Sequence, residues 1–152
     1  MHRILDDGLD ELAAKSHQGF PLRILITLMV AGVAGLIVPW RVALACAVIQ
    51  SLNEAVSLVA TRRQTQGLPV SLRLRGAHLA TLGTGCLIWV GLGALLWSAG
   101  TAEGAVTGAM LWLAVIFFTQ TNAYQSPTGV VVGGAIPASA MLAFVLLGPN
   151  PL

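Results

Sequence analysis

A single carboxylate, Glu54, stands inside an otherwise apolar stretch, where an ionised side chain is expensive to keep and marks a functional site by default. Gln50, Glu54 and Ser57 fall at i, i+4 and i+7, so a helix carries them on one face. Two kinds of chemistry suit that face. One is a protonatable or ligand-responsive switch, with His78 as the partner of Glu54. The other is a set of satisfied hydrogen bonds that glues helices together and senses nothing. Gln120, Asn122, Tyr124 and Gln125 complete the candidate cluster, because the topology derived below puts them at the same end of the chain's helices.

Catalytic patterns are absent from the sequence. There is no Ser-His-Asp order, no phosphate-cradling glycine loop and no pair of carboxylates at catalytic spacing. His2, His17 and His78 are too dispersed to form a metal site, and Asp6, Asp7, Asp10 and Glu11 read as a solvated acidic helix face. No charged residue follows Glu103. The expectation is a protein without enzymatic activity, metal or cofactor.

The elements that position these residues follow from composition. The chain has 152 residues, of which 56% are hydrophobic and 9% charged, with a mean hydropathy of +0.82. Soluble domains carry about 25% charged residues, and a small soluble fold cannot hide so much apolar surface. Lipid resolves the conflict. The net charge of +2 and the scatter of basic residues exclude a nucleic-acid partner. Cys46 and Cys86 sit in apolar runs at no metal-binding spacing and read as small buried hydrophobes. Acids crowd the first residues, the opposite of a signal peptide's basic start.

The predicted fold is all-α: a polytopic transmembrane bundle of about five spans, at 22–38, 42–60, 77–97, 105–121 and 130–147. Residues 1–21 form a cytoplasmic N-terminal segment, in which Leu5, Leu9 and Leu12 recur at helical spacing; residues 22–152 form the membrane domain. Ala31 and Gly35, the third-span glycines Gly83, Gly85, Gly91 and Gly93, and the Gly104–Gly108 pair are positions of close helix approach. Pro137 predicts a kink in the fifth span. The spans show no internal repeat of the kind that builds many transporters.

Arg62, Arg63, Arg73 and Arg75 share one short loop, whereas the opposite side offers only Arg41 and Glu103. The positive-inside rule places the arginine loop in the cytoplasm. The N-terminus and the 120–129 loop are then cytoplasmic as well, and five spans leave the C-terminus periplasmic. The expected location is a bacterial inner membrane.

The run Thr119-Gln120-Thr121-Asn122-Ala123-Tyr124-Gln125-Ser126-Pro127, followed by Gly133-Gly134-Ala135-Ile136-Pro137-Ala138, resembles the membrane-embedded N-terminal region of alphaproteobacterial hybrid sensor histidine kinases. Glu54, the Thr61-Arg62-Arg63 exit and the tryptophans of the third span are similar too. Where that family carries a histidine-alanine-glutamine sequence, this chain reads Thr119-Gln120-Thr121, so no histidine role transfers. The resemblance implies a sensory or anchoring transmembrane module without a kinase core, a truncated or split relative. It also implies self-association as a homodimer. The alternatives are a small accessory subunit bound to a membrane partner protein and a small transporter or channel component.

Overall fold

The computed structural model describes residues 2–68, 70–124 and 126–147, and among these residues there are helices and turns but no strand. Six helices follow in order: α1 His2–Gln18, α2 Phe20–Ala34, α3 Trp40–Thr65, α4 Leu72–Trp97, α5 Ala102–Ala123 and α6 Pro127–Leu147. Helices α3 to α6 are each long and apolar enough to cross a membrane, and the end of α1 with α2 makes a fifth candidate span, bent by 60°. The architecture is that of a multi-pass membrane protein. Large apolar side chains such as Leu28, Leu36, Val59, Phe117 and Leu146 point outward, as a surface solvated by lipid requires.

The inward faces are small or polar. On α3 the residues Gln50, Glu54, Ser57, Thr61 and Gln64, spaced by three and four, are all buried. Its polar face is turned inward and its leucines and valines outward, because lipid tails are as apolar as leucine and give such residues no reason to hide.

The first span differs from expectation. The stretch 22–38 is not one helix to its end: α2 stops at Ala34, and Leu36 and Ile37 continue in tight turns onto the carbonyls of Val33 and Ala34. Val38 precedes Pro39, whose ring disfavours helical backbone at the residue before it. With 15 residues, α2 rises only about 22 Å, short of a hydrocarbon core of about 30 Å. At its other end Pro21 sits in the first turn. Lacking an N–H and crowding the carbonyl four residues back, it bends the chain away from α1.

The arginine-bearing loop closes α3 by a Schellman motif. Gly67 takes φ +66°, its N–H bonds to the Gln64 carbonyl at 3.1 Å, and the Leu68 N–H reaches the Arg63 carbonyl at 3.1 Å. Arg62, Arg63 and Arg73 are exposed there. Ser71, Thr101 and Ser126 begin α4, α5 and α6, each hydroxyl accepting from the N–H three residues on. Helices α3 and α4 both run past the expected limits, 42–60 and 77–97, since hydropathy marks the lipid-buried length while helical hydrogen bonding continues into the polar flanks.

Glycines set the seams. A Cβ on Gly108 would strike the Gly93 carbonyl oxygen, and one on Gly104 would strike that of Leu96, so this pair is where α5 lies on α4. Gly93 in turn accommodates the Trp112 indole, whose Nε1 donates to the Val90 carbonyl at 3.1 Å. Trp112 also stacks on Trp97 and tilts against Phe144 of α6. Gly133 takes Thr119 from α5, and Gly83 meets Val132. Gly35 approaches the Ala43 Cβ, consistent with close packing of α2 on α3, and Gly91 faces open space. Helix α6 runs as one helix through Pro137, whose side chain is fully buried, so the proline does not divide the span.

Candidate functional site

Glu54 does not stand alone. Its Oε2 lies 3.0 Å from Nη2 of Arg23, in the first turns of α2, and its Oε1 accepts from Gln50 Nε2 at 2.9 Å. The Arg23 guanidinium also donates through Nη1 to the Ser16 hydroxyl at 2.7 Å and through Nη2 to the Ser16 carbonyl. That carbonyl belongs to the last turn of α1, where backbone oxygens lose their in-helix donors. One cation therefore ties together α1, α2 and α3 at the bend. Thr27 fixes the local backbone by donating to the Arg23 carbonyl at 2.8 Å.

Beside this pair lies a partly open cavity of about 270 Å³ that separates α2 from α4 and α5. Its polar end holds Arg23, Gln50, Asn53, Glu54, Ser57 and His78. Val30, Trp89, Leu111, Val115 and Phe118 make the rest of its wall largely apolar, with Thr27 and Thr119 among them. Asn53 reaches across to donate to the Thr81 carbonyl on α4 at 3.0 Å, and Thr81 donates to the His78 carbonyl at 2.8 Å. A Cβ on Gly85 would come within 3.2 Å of Asn53 Nδ2, so a larger residue here would push that amide by a few tenths of an ångström.

Three side-chain atoms of residues that line the cavity are themselves closed off from solvent and have no hydrogen-bond partner among the described residues: Arg23 Nε, Gln50 Oε1 and His78 Nδ1. Gln50 and His78 are each 3% exposed. A buried donor or acceptor left unmade costs about 1–3 kcal/mol, so each is a local cost to the packing around the ion pair.

The sequence-predicted cluster divides. Gln50, Glu54, Ser57 and His78 are buried and line one cavity. Gln120 and Tyr124 do not join it: both are exposed, Gln120 lies against Gly134, and the Tyr124 ring carries the Lys15 ammonium 4.5 Å from its centroid. They miss because α5 presents Val115, Phe118 and Thr119 to the cavity, and a helix cannot turn Gln120 to the same side. Gln125 and the side chain of Asn122 lie outside the described residues. Sequence reasoning missed Arg23, Ser16, Asn53 and Thr81. Arg23 carried a signal, being the one cation within the 22–38 apolar run, but its place next to Pro21 reads as a span's end.

Helix α1 caps the same end of the molecule. Leu9 and Leu12 are buried against Leu79, Leu82, Ala123 and Val130, while Glu11 and Lys15 pair at 3.7 Å on its outer side. Comparison with known proteins finds no match: no described family, no curated protein and no solved structure matches this chain.

Proposed function

We propose that the protein is a sensory transmembrane module whose intramembrane cavity binds a small molecule, with occupancy read out through α2. One observation carries the reading: a buried ion pair between two helices lines a cavity of about 270 Å³, placed where the α1–α2 segment is bent. The resemblance of the Thr119–Pro127 run and of Glu54 to the membrane regions of sensor histidine kinases agrees with this role. The arginine loop is taken as cytoplasmic and the membrane as a bacterial inner membrane, on the asymmetry of Arg62, Arg63, Arg73 and Arg75. Self-association as a homodimer belongs to the same proposal. It would use outward faces such as that around Gly91, since Gly93, Gly104 and Gly108 are occupied within the chain.

Native mass spectrometry on protein released from its own membrane tests the reading. The expected spectrum contains a discrete small-molecule adduct at one per chain, lost when Gln50 and His78 are both replaced by leucine. Bare protein, or the same lipid adducts in both forms, would overturn it.

A second reading has its own support. Bent or discontinuous helices beside intramembrane charges line the substrate paths of many transporters, and the α1–α2 bend lies beside Arg23 and Glu54. Flux in proteoliposomes that disappears in Glu54→Gln would establish transport in place of sensing.

A further inference from the structure

The arginine loop carries more charge than the fold uses. We propose that it is a binding site for an anionic phospholipid, with Arg62, Arg63 and Arg73 on the phosphate and an acyl chain along the lipid-facing side of α3. This goes beyond the sensory reading and does not depend on the cavity.

Charge comes first. Arg62 and Arg63 end α3, Arg73 opens α4, and only residues 66–71 separate the two helices, so the three share one end of the bundle. All three are exposed. No Asp or Glu stands between Glu54 and Glu103 in the sequence. Glu54 is held by Arg23 and Glu11 by Lys15, while Glu103 opens α5 at the opposite end. Among the described residues, no carboxylate pairs with Arg62, Arg63 or Arg73. Arg75 is half-buried and stays outside the site. The three free guanidiniums stand where two membrane-crossing helices reach the headgroup layer. Their forked N–H donors match phosphate oxygens.

The apolar surroundings decide between a lipid and an acidic protein segment. Leu52, Val56, Val59 and Arg63 recur at spacings of four, three and four, so they share one face of α3. The apolar members are all exposed, Val59 to 76%, and form a strip for a lipid chain with Arg63 at its end. In the loop itself Leu68 is exposed, and Leu72, next to Arg73, is 82% exposed. An acidic peptide would cover the charges and leave these leucines against water. A phospholipid offers phosphate to the arginines and hydrocarbon to the leucines.

Net charge selects the headgroup. A zwitterionic head brings its own cation, which offsets the attraction of its phosphate for arginine. An anionic head such as phosphatidylglycerol has no such offset, and each basic residue at an anionic membrane surface strengthens association roughly fivefold.

Two photoactivatable probes test the site: a phosphatidylglycerol and a phosphatidylcholine that carry the same diazirine acyl chain. Each is added in trace to the full chain in phosphatidylcholine nanodiscs, and the photoproducts are mapped by peptide. Phosphatidylglycerol labelling should concentrate on residues 52–59 and 68–72 and exceed phosphatidylcholine labelling roughly fivefold for each arginine engaged. High salt should erase the excess in the unaltered protein, because exposed charges are screened, so this readout needs no variant to fold. Replacing Arg62, Arg63 and Arg73 together with glutamine should erase it as well. Equal labelling by the two probes would overturn the proposal, and binding of soluble polyglutamate to the same loop would then assign it to an acidic protein. An excess that survives both high salt and the glutamine variant, or one centred on Trp40 and Arg41 at the opposite end, would also overturn it.

Discussion

Arg23 and Glu54 meet at 3.0 Å with both side chains largely buried, joining the start of α2 to the middle of α3. Farther along, Ala34 and Val38 pack with Ala43, Leu92 and Leu96, so α2 is anchored by small apolar contacts at one end and by an ion pair at the other.

That pairing predicts a non-additive mutant cycle. Glu54→Gln leaves the guanidinium buried without its carboxylate and should destabilise the fold by about 3 kcal/mol, as breaking a buried pair does. Arg23→Gln should have a similar effect. The double variant should recover most of the loss, because two neutral amides can hydrogen-bond where one charge could not. Reversible unfolding in mixed detergent measures all three, and additive losses would show that the two residues do not act as a pair.

The glycine seams predict a sharp contrast between Gly93 and Gly108, which meet across α4 and α5, and Gly91, two residues from Gly93 on α4. Gly93→Leu would drive into the Trp112 indole, and Gly108→Leu into the Gly93 carbonyl oxygen. Overpacking of this kind costs about 1–3 kcal/mol or more where backbone is the obstacle. Gly91→Ala meets nothing within 4 Å and should be neutral, or stabilising by up to about 1 kcal/mol through helix propensity. Thermal unfolding of the three variants decides the matter.

Orientation is testable independently of the cavity. Alkaline phosphatase joined after Gly67 should be inactive and joined after Gly100 active, because the first junction lies in the arginine loop and the second on the opposite side. Replacing Arg62, Arg63, Arg73 and Arg75 together with glutamine should weaken or reverse that pattern. Activity at Gly67 in the unmodified protein would invert the topology.

Much of this architecture was legible in the sequence, and for physical reasons. Lipid demands about 20 apolar residues per span, so α3 to α6 announce themselves by hydropathy. The Gln50–Glu54–Ser57 face was legible because helical periodicity fixes which side chains share a side whatever the surroundings. The Gly104–Gly108 spacing marked a real seam, although the same spacing arises by chance in a glycine-rich chain. The partner of Glu54 was not legible. Arg23 becomes a partner only because the chain bends beside Pro21 and sets the start of α2 against α3, which no spacing in the sequence encodes. Gln120 and Tyr124 misled for a related reason: sharing an end of the bundle with His78 does not mean sharing a face.

In the proposed role, α2 is an arm held over the cavity that responds to what fills it. The most direct test places spin labels at Leu28 on α2 and Leu113 on α5, both exposed to lipid, with Cys46 and Cys86 replaced by alanine, in phosphatidylcholine nanodiscs. Pulsed dipolar spectroscopy should give one narrow separation for the otherwise unchanged chain and a broad one for Glu54→Gln. The same narrow separation in both would contradict the proposed role, making α2 a fixed wall and the ion pair a static fastening.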